Sequence, residues 1–191
     1  MRVVVVNGSP RADGNTNKAM ELIIQAAKSK THTLEINRYH LDALSLKGCQ
    51  GCMMCKEPGV KMCIIEDDGQ ALLRDMFEAD AWILGTPVYM GHITGQMKLL
   101  LDRTYGYLAP GFVLKLPAGK RGVAVITQGR REPDAYRNVI EFFSSMFERR
   151  QFASGECMVV TGTDGRACGD IAFASEVLAT ASAAGEALTG S

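Results

Sequence analysis

The chain has no excess charge of either sign: its 191 residues carry 21 Lys+Arg against 21 Asp+Glu. No global field draws in a polyanion, so nucleic acid and acidic membrane surfaces are not expected partners. It also lacks any long hydrophobic run of the roughly 18 residues that a membrane span requires. The N-terminal run Val3-Val4-Val5-Val6 stops at Asn7-Gly8-Ser9-Pro10, and the Ala-rich C-terminal stretch is interrupted by Glu176, Ser182 and Glu186. The N-terminal run is too short for the core of a signal peptide and reads as a buried strand. The expected protein is soluble and cytoplasmic. Asn7-Gly8-Ser9 matches a glycosylation acceptor in form only, since no secretory signal accompanies it.

Other absences narrow the chemistry. No G-x-G-x-x-G follows the first apolar run, which argues against a resident dinucleotide such as NAD. No Gly-Lys-Ser/Thr closes the first glycine-containing loop, which ends Gly14-Asn15-Thr16, so an NTPase phosphate loop is not expected either. His32, His40 and His92 share no metal-ligand spacing, and no hydrolytic triad is apparent. Internal repeats, low-complexity tracts and charge blocks are missing, so one domain over 1–191 is expected, with 47% hydrophobic residues to fill its core.

What is present is an alternation of strand-length apolar runs with amphipathic helix-length stretches, the pattern of repeated βαβ units and a parallel sheet covered on both faces. Strands are expected over 2–6, 33–38, 81–85, 122–127 and 156–161, and helices over 15–28, 69–79, 94–105, 134–149 and 170–188. Ala19, Leu22, Ile23, Ala26 and Ala27 form the sheet-facing stripe of the first helix. The last helix, rich in Ala, Ser and Gly, suits close packing against the sheet or a partner subunit. The stretch 41–68 is the one long excursion, and long irregular connections tend to be functional.

The segment Asn7-Gly8-Ser9-Pro10-Arg11-Ala12-Asp13-Gly14-Asn15-Thr16 leaves the first strand and opens the first helix. Such a loop presents backbone N–H groups and the positive end of a helix dipole, which suits a phosphate. Ser9, Asn15 and Thr16 add side-chain donors, Arg11 adds a charge, and Gly8 and Gly14 allow close approach. The competing reading is that Ser9 and Thr16 merely cap the helix while Gly14 turns the chain. A second loop, Gly85-Thr86-Pro87-Val88-Tyr89-Met90-Gly91, follows the third strand, with Gln96-Met97-Lys98 and Asp102-Arg103 on the helix after it. Thr127-Gln128-Gly129 follows the fourth strand.

In combination and order these motifs, over roughly residues 1–130, resemble the NADPH-dependent FMN reductases, the WrbA-type flavodoxins and the iron-sulfur flavoproteins. The resemblance implies a flavodoxin-like three-layer α/β fold with a five-stranded parallel sheet and helices on both faces. It implies noncovalent FMN, with its phosphate at Ser9, Arg11, Gly14, Asn15 and Thr16. The isoalloxazine ring would lie against Pro87, Val88, Tyr89, Met90 and Gly91, with Thr127, Gln128 and Gly129 beside it. Tyr89 would stack on or edge the ring, unless it is only a surface aromatic, and backbone N–H groups near Met90 and Gly91 would meet the flavin edge. No catalytic nucleophile or base is expected, because a flavin carries the electrons itself.

Four of the six cysteines fall in Cys49-x2-Cys52-x2-Cys55-x7-Cys63, too crowded for a disulfide scaffold. This spacing is similar to the compact motif of the iron-sulfur flavoproteins, in which such cysteines hold a [4Fe-4S] cluster. Lys47, Lys56 and Lys61 would offset part of its charge. Gly51-Cys52, Cys63 and Asp67-Asp68 also resemble stretches in relatives without a cluster, so cluster, zinc and free thiols all stay open. Asp67 and Asp68 read as helix caps, Cys157 as a small core residue, and Cys168 as a loop residue without a visible partner.

Two enzymatic readings follow from the resemblance. With a cluster, electrons pass from a carrier such as ferredoxin through FMN to oxygen, peroxide or a quinone. Without one, the chain is an NAD(P)H-dependent FMN or quinone reductase. The rivals are a non-catalytic flavodoxin-type electron carrier, which zero net charge does not favour, and a metal-binding interaction protein that has lost its flavin. Relatives work as homodimers or homotetramers, with the cysteine excursion a candidate contact.

Overall fold

The computed structural model describes residues 1–31, 33–163 and 175–190. Its strands are β1 (Arg2–Asn7), β2 (Glu35–His40), β3 (Ala81–Pro87), β4 (Arg121–Thr127) and β5 (Ser154–Val160). The helices are α1 (Asn15–Lys30), α2 (Gly69–Glu78), α3 (Gly95–Arg103), α4 (Arg137–Arg149) and α5 (Ser175–Thr189). All strand pairs are parallel and the order is β2-β1-β3-β4-β5, the flavodoxin-like arrangement. His32 and Cys168, together with the first residues of the expected 170–188 helix, lie outside the described residues.

Successive strand residues point to opposite faces, so each central strand feeds two cores. Val3 and Val5 pack under α1 and α5 with Met20, Ile23, Ala184 and Leu188. Val4 and Val6 face the other way, into the core that α2, α3 and α4 share with Trp82, Leu84 and Phe143. The small residues of α5 serve its contact with α1: a Cβ on Gly185 would lie 2.7 Å from Ala26 Cβ and 2.9 Å from the Ala27 backbone. Across the sheet, Phe147 of α4 lies over Gly122 and Gly155, where added Cβ atoms would approach it to 2.3 and 2.5 Å.

Several boundaries differ from expectation, three of them instructively. The 33–38 strand lies two residues later, because Glu35–His40 is the segment in register with Arg2–Asn7. The 94–105 helix ends at Arg103 and tightens into a 3-10 turn over Thr104–Tyr107. The 134–149 helix begins at Arg137. The strand order reverses between β1 and β3, so the chain leaves those neighbours in opposite directions and opens a crevice at their carboxyl ends.

Candidate functional site

That crevice is a cleft of about 280 Å³. The first loop supplies Ser9, Arg11, Gly14, Asn15 and Thr16, the second Pro87, Val88 and Tyr89, and the third Thr127, Gln128 and Gly129, joined by Thr163. The loop after β1 is built around its own polar groups. Asn7 Oδ1 accepts from Ser9 N (2.9 Å) and Ser9 Oγ from Arg11 N (3.1 Å). No side chain caps α1, whose N-cap is Gly14, so Ser9 and Thr16 are not spent on capping. Thr16 Oγ1 instead meets Thr127 Oγ1 at 2.8 Å, linking the first loop to the third. Beneath the loop the Asn7 side-chain amide Nδ2 is buried without a hydrogen-bond partner.

Backbone bonds brace the loops against one another. Gly8 N donates to Gly85 O (2.7 Å), Val88 N to Thr127 O (2.9 Å) and Thr163 N to Gln128 O (3.1 Å). Thr94, the N-cap of α3, accepts from Met97 N and donates its hydroxyl to Gly8 O at 2.7 Å. Gly85 leaves no room for a side chain: a Cβ there would lie 2.5 Å from Met20 Sδ and 2.8 Å from Thr16 Cγ2.

Met90 and Gly91 do not line the cleft. They form the tip of a tight turn in which Tyr89 and His92 exchange both backbone hydrogen bonds (2.9 and 3.0 Å). Their φ values of 47° and 79° are the pair a type I′ turn demands, and Met90 is fully exposed. His92 packs its ring edge-on against Phe142, 5.5 Å between centroids, and takes no part in the cleft.

Cys49, Cys52, Cys55 and Cys63 line a second, narrow cavity of about 20 Å³ with Arg103 and Gly106. Gly51 (φ 64°) and Met53 (φ 60°) curl the loop around it in the left-handed region. Cys49 and Cys52 are exposed, Cys55 half-buried and Cys63 buried. Gly106 presses on the Cys63 backbone, where a Cβ would come within 2.5 Å of Cys63 N. Lys56 sits 3.5 Å above the Tyr105 ring and donates to Tyr105 O and Leu108 O, and Lys115 donates to Cys55 O at 3.1 Å. Burial and the neighbouring Lys56 pull the Lys115 pKa down, while Cys55 opposes the shift. Among the described residues no three His, Cys, Asp or Glu side chains stand together as ligands of a single metal ion. Cys157 lies apart on β5, half-buried against Ser144, and burial pushes its thiol pKa up.

The acidic pair after the cysteines does more than cap. Asp68, the N-cap position of α2, makes no bond to that helix and accepts instead from Ser45 N. Asp67 accepts from Gly69 N and Lys47 N and pairs both oxygens with Arg103 Nη1 at 2.7 and 2.6 Å. The pair is buried, with side chains 1% and 4% exposed. Burial alone would raise the Asp67 pKa, but the hydrogen bonds and charge of Arg103 outweigh it and hold the carboxyl below its ordinary value.

Sequence reasoning missed Thr163 and His40. Thr163 follows β5 at the same edge as the three named loops, and the rule that ligands gather at the carboxyl ends of strands pointed there. His40, the last residue of β2, donates from Nε2 to Ser9 O at 2.8 Å and buttresses the first loop, a contact created by parallel pairing with β1.

Comparison with known proteins agrees with this layout. The NADPH-dependent FMN reductase family matches residues 1–151. An iron-sulfur flavoprotein of Methanocaldococcus jannaschii is 40% identical over 119 residues, 62% of this chain and 59% of the relative. A second from that organism is 33% identical over 148 residues, 75% of this chain and 71% of the relative. The chain thus spans less than two thirds of the first relative's length. Among solved structures, an FMN-dependent NADH-azoreductase of Bacillus anthracis in complex with FMN superposes with a TM-score of 0.71 at 14% identity, covering 100% of this chain and 99% of that one, a likeness of fold. With most of its length matched, strand order and loop sequence in agreement, the chain belongs to the NADPH-dependent FMN reductase family.

Proposed function

We propose that this chain is an FMN-dependent oxidoreductase that passes electrons between a donor and a small acceptor. The observation that carries the reading is the single cleft to which three loops, predicted separately, all contribute. Its chemistry fits a flavin mononucleotide: a helix N-terminus without a side-chain cap, hydroxyls at Ser9 and Thr16, and Arg11 suit a phosphate dianion. Pro87, Val88 and Tyr89 offer an apolar wall and an aromatic edge for a planar ring. Bound FMN supplies the redox chemistry, taking up and releasing one or two electrons. The chain's part is to anchor the phosphate and, through the loop cross-links from Gly8 to Gly85 and Val88 to Thr127, to hold the ring wall at a set distance from that anchor. The exposed Tyr89-to-His92 turn, with Met90 and Gly91 at its tip, would border the ring.

We further propose that Cys49, Cys52, Cys55 and Cys63 hold a [4Fe-4S] cluster, as the names of the Methanocaldococcus relatives suggest. The donor set suits it, because thiolates on different corners of a four-iron cube stand farther apart than ligands of one ion. The narrow cavity requires the exposed Cys49–Cys52 side of the loop to move outward. With the cluster, the donor is a carrier of the ferredoxin class and the acceptor oxygen, peroxide or a quinone. Without it, NAD(P)H is the donor, a reading favoured by the family's own NADPH dependence.

We place the chain in the cytoplasm as a single FMN-binding unit over 1–191 that forms a homodimer or homotetramer. No helix among the described residues is long and apolar enough to cross a membrane, and the exposed Met53, Phe112 and Val113 suit a subunit contact. Anaerobic purification with an absorption spectrum, iron and sulfide analysis and FMN titration tests the proposal. A flavin spectrum with about four irons per chain supports the cluster form. Flavin without iron or sulfide leaves the NAD(P)H-dependent form, and failure to bind FMN at all would overturn the reading.

A further inference from the structure

Arg103 is a full charge, 1% exposed, at the last position of α3. A guanidinium keeps its proton under all ordinary conditions, so its burial demands a purpose and partners. Most of its donors are accounted for. Nη1 binds both Asp67 oxygens and reaches Lys47 O at 3.4 Å, and Nη2 donates to Ile65 O at 2.9 Å. These partners lie on the two stems of the cysteine excursion, Lys47 just before Cys49 and Ile65 to Asp67 just after Cys63. The packing is close: a Cβ on Gly69 would lie 2.7 Å from Nη1.

One nitrogen is left without any acceptor. Arg103 Nε is buried with no hydrogen-bond partner, and buried orphans of this kind call for an explanation. Arg103 lines the cavity of the four cysteines, whose buried member is Cys63. The other end of α3 is fastened to the first loop through Thr94 and Gly8 O. One helix of roughly 13 Å (nine residues at about 1.5 Å each) therefore links the flavin cleft to the cysteine cavity.

We propose that Arg103 is a positioning residue of the cysteine centre: the Asp67 clamp holds its remaining Nε–H as the donor to the Cys63 sulfur, raising the reduction potential of the cluster bound there. The proposal rests on the cluster reading above. Hydrogen bonds to ligand sulfurs are among the features that set the potential of such clusters, because they stabilise the more negative reduced state. Lysine cannot substitute. Its single ammonium would satisfy the Asp67 carboxylate but offers no second, fixed donor for sulfur.

The test uses the full chain, purified anaerobically and reconstituted with iron and sulfide, as wild type and Arg103→Lys. Iron and sulfide are measured first, and wild-type protein that takes up neither overturns the cluster reading and this inference with it. Where both proteins carry equal iron, the expected result is a lower cluster midpoint potential in the variant with the FMN affinity unchanged. An unchanged potential at equal iron overturns the role of Arg103 alone. Should the variant fail to fold, the wild type labelled with 15N-arginine answers the same question. Pulsed EPR of the reduced cluster should show a 15N coupling, and its absence refutes the proposal.

Discussion

Asp67→Asn removes the counter-charge of Arg103 while keeping the size of the side chain. In the wild type Oδ1 accepts from Gly69 N and Arg103 Nη1, and Oδ2 from Lys47 N and Arg103 Nη1. Whichever oxygen becomes an NH2 group then faces two donors and binds neither, and a buried guanidinium stays behind without its anion. Breaking a buried ion pair from one side costs about 3–5 kcal/mol. At about 2–4 °C per kcal/mol for a chain of this size, the midpoint should fall by about 6–20 °C. Because the folded state lowers the Asp67 pKa, the lost stability is fully present above the ordinary carboxylate range. It disappears as pH falls through the lowered folded value. Urea unfolding of both proteins at pH 7, and at steps down through the acid range, measures the difference at each pH. A difference below about 1 kcal/mol at pH 7, or one that widens toward acid, would refute the buried-pair argument.

Thr16→Val deletes the hydroxyl that meets Thr127 in the cleft. Losing a hydrogen bond to a charged phosphate, about 1.5–3 kcal/mol, should weaken FMN binding roughly 10- to 100-fold while leaving riboflavin binding unchanged, as fluorescence titration would show. Gly85→Ala drives a Cβ into Met20 and Thr16, so a loss of about 1–3 kcal/mol in denaturant unfolding and weaker FMN binding are expected together. Lys120 is 4% exposed and burial brings its pKa down to about 8. Between that value and its higher unfolded pKa the folded chain binds fewer protons than the unfolded one. The wild type should therefore gain stability relative to Lys120→Met as pH rises from about 8 to 10, and parallel stability curves for the two proteins would contradict it.

The sequence by itself determined the alternation of strands and helices and the positions of the three loops, because both are written in short-range patterns: apolar runs, helix-length periodicity, and glycine with hydroxyl residues where a strand ends. The contribution of the loop after β1 to the cleft was legible for that reason, as was the crowding of Cys49, Cys52, Cys55 and Cys63. Only the tertiary structure decided which residues meet. His40 reaches Ser9 because β2 pairs with β1, Thr163 joins the cleft because β5 lies beside β4, and Met90 turns outward because the Tyr89-to-His92 turn closes beneath it. The same holds for Arg103. Nothing local to the end of α3 foretells that its charge is buried against Asp67 and the Cys63 cavity. Sequence spacing sets the chemistry available along the chain, while sheet order and helix packing set the distances over which hydrogen bonds and charges act.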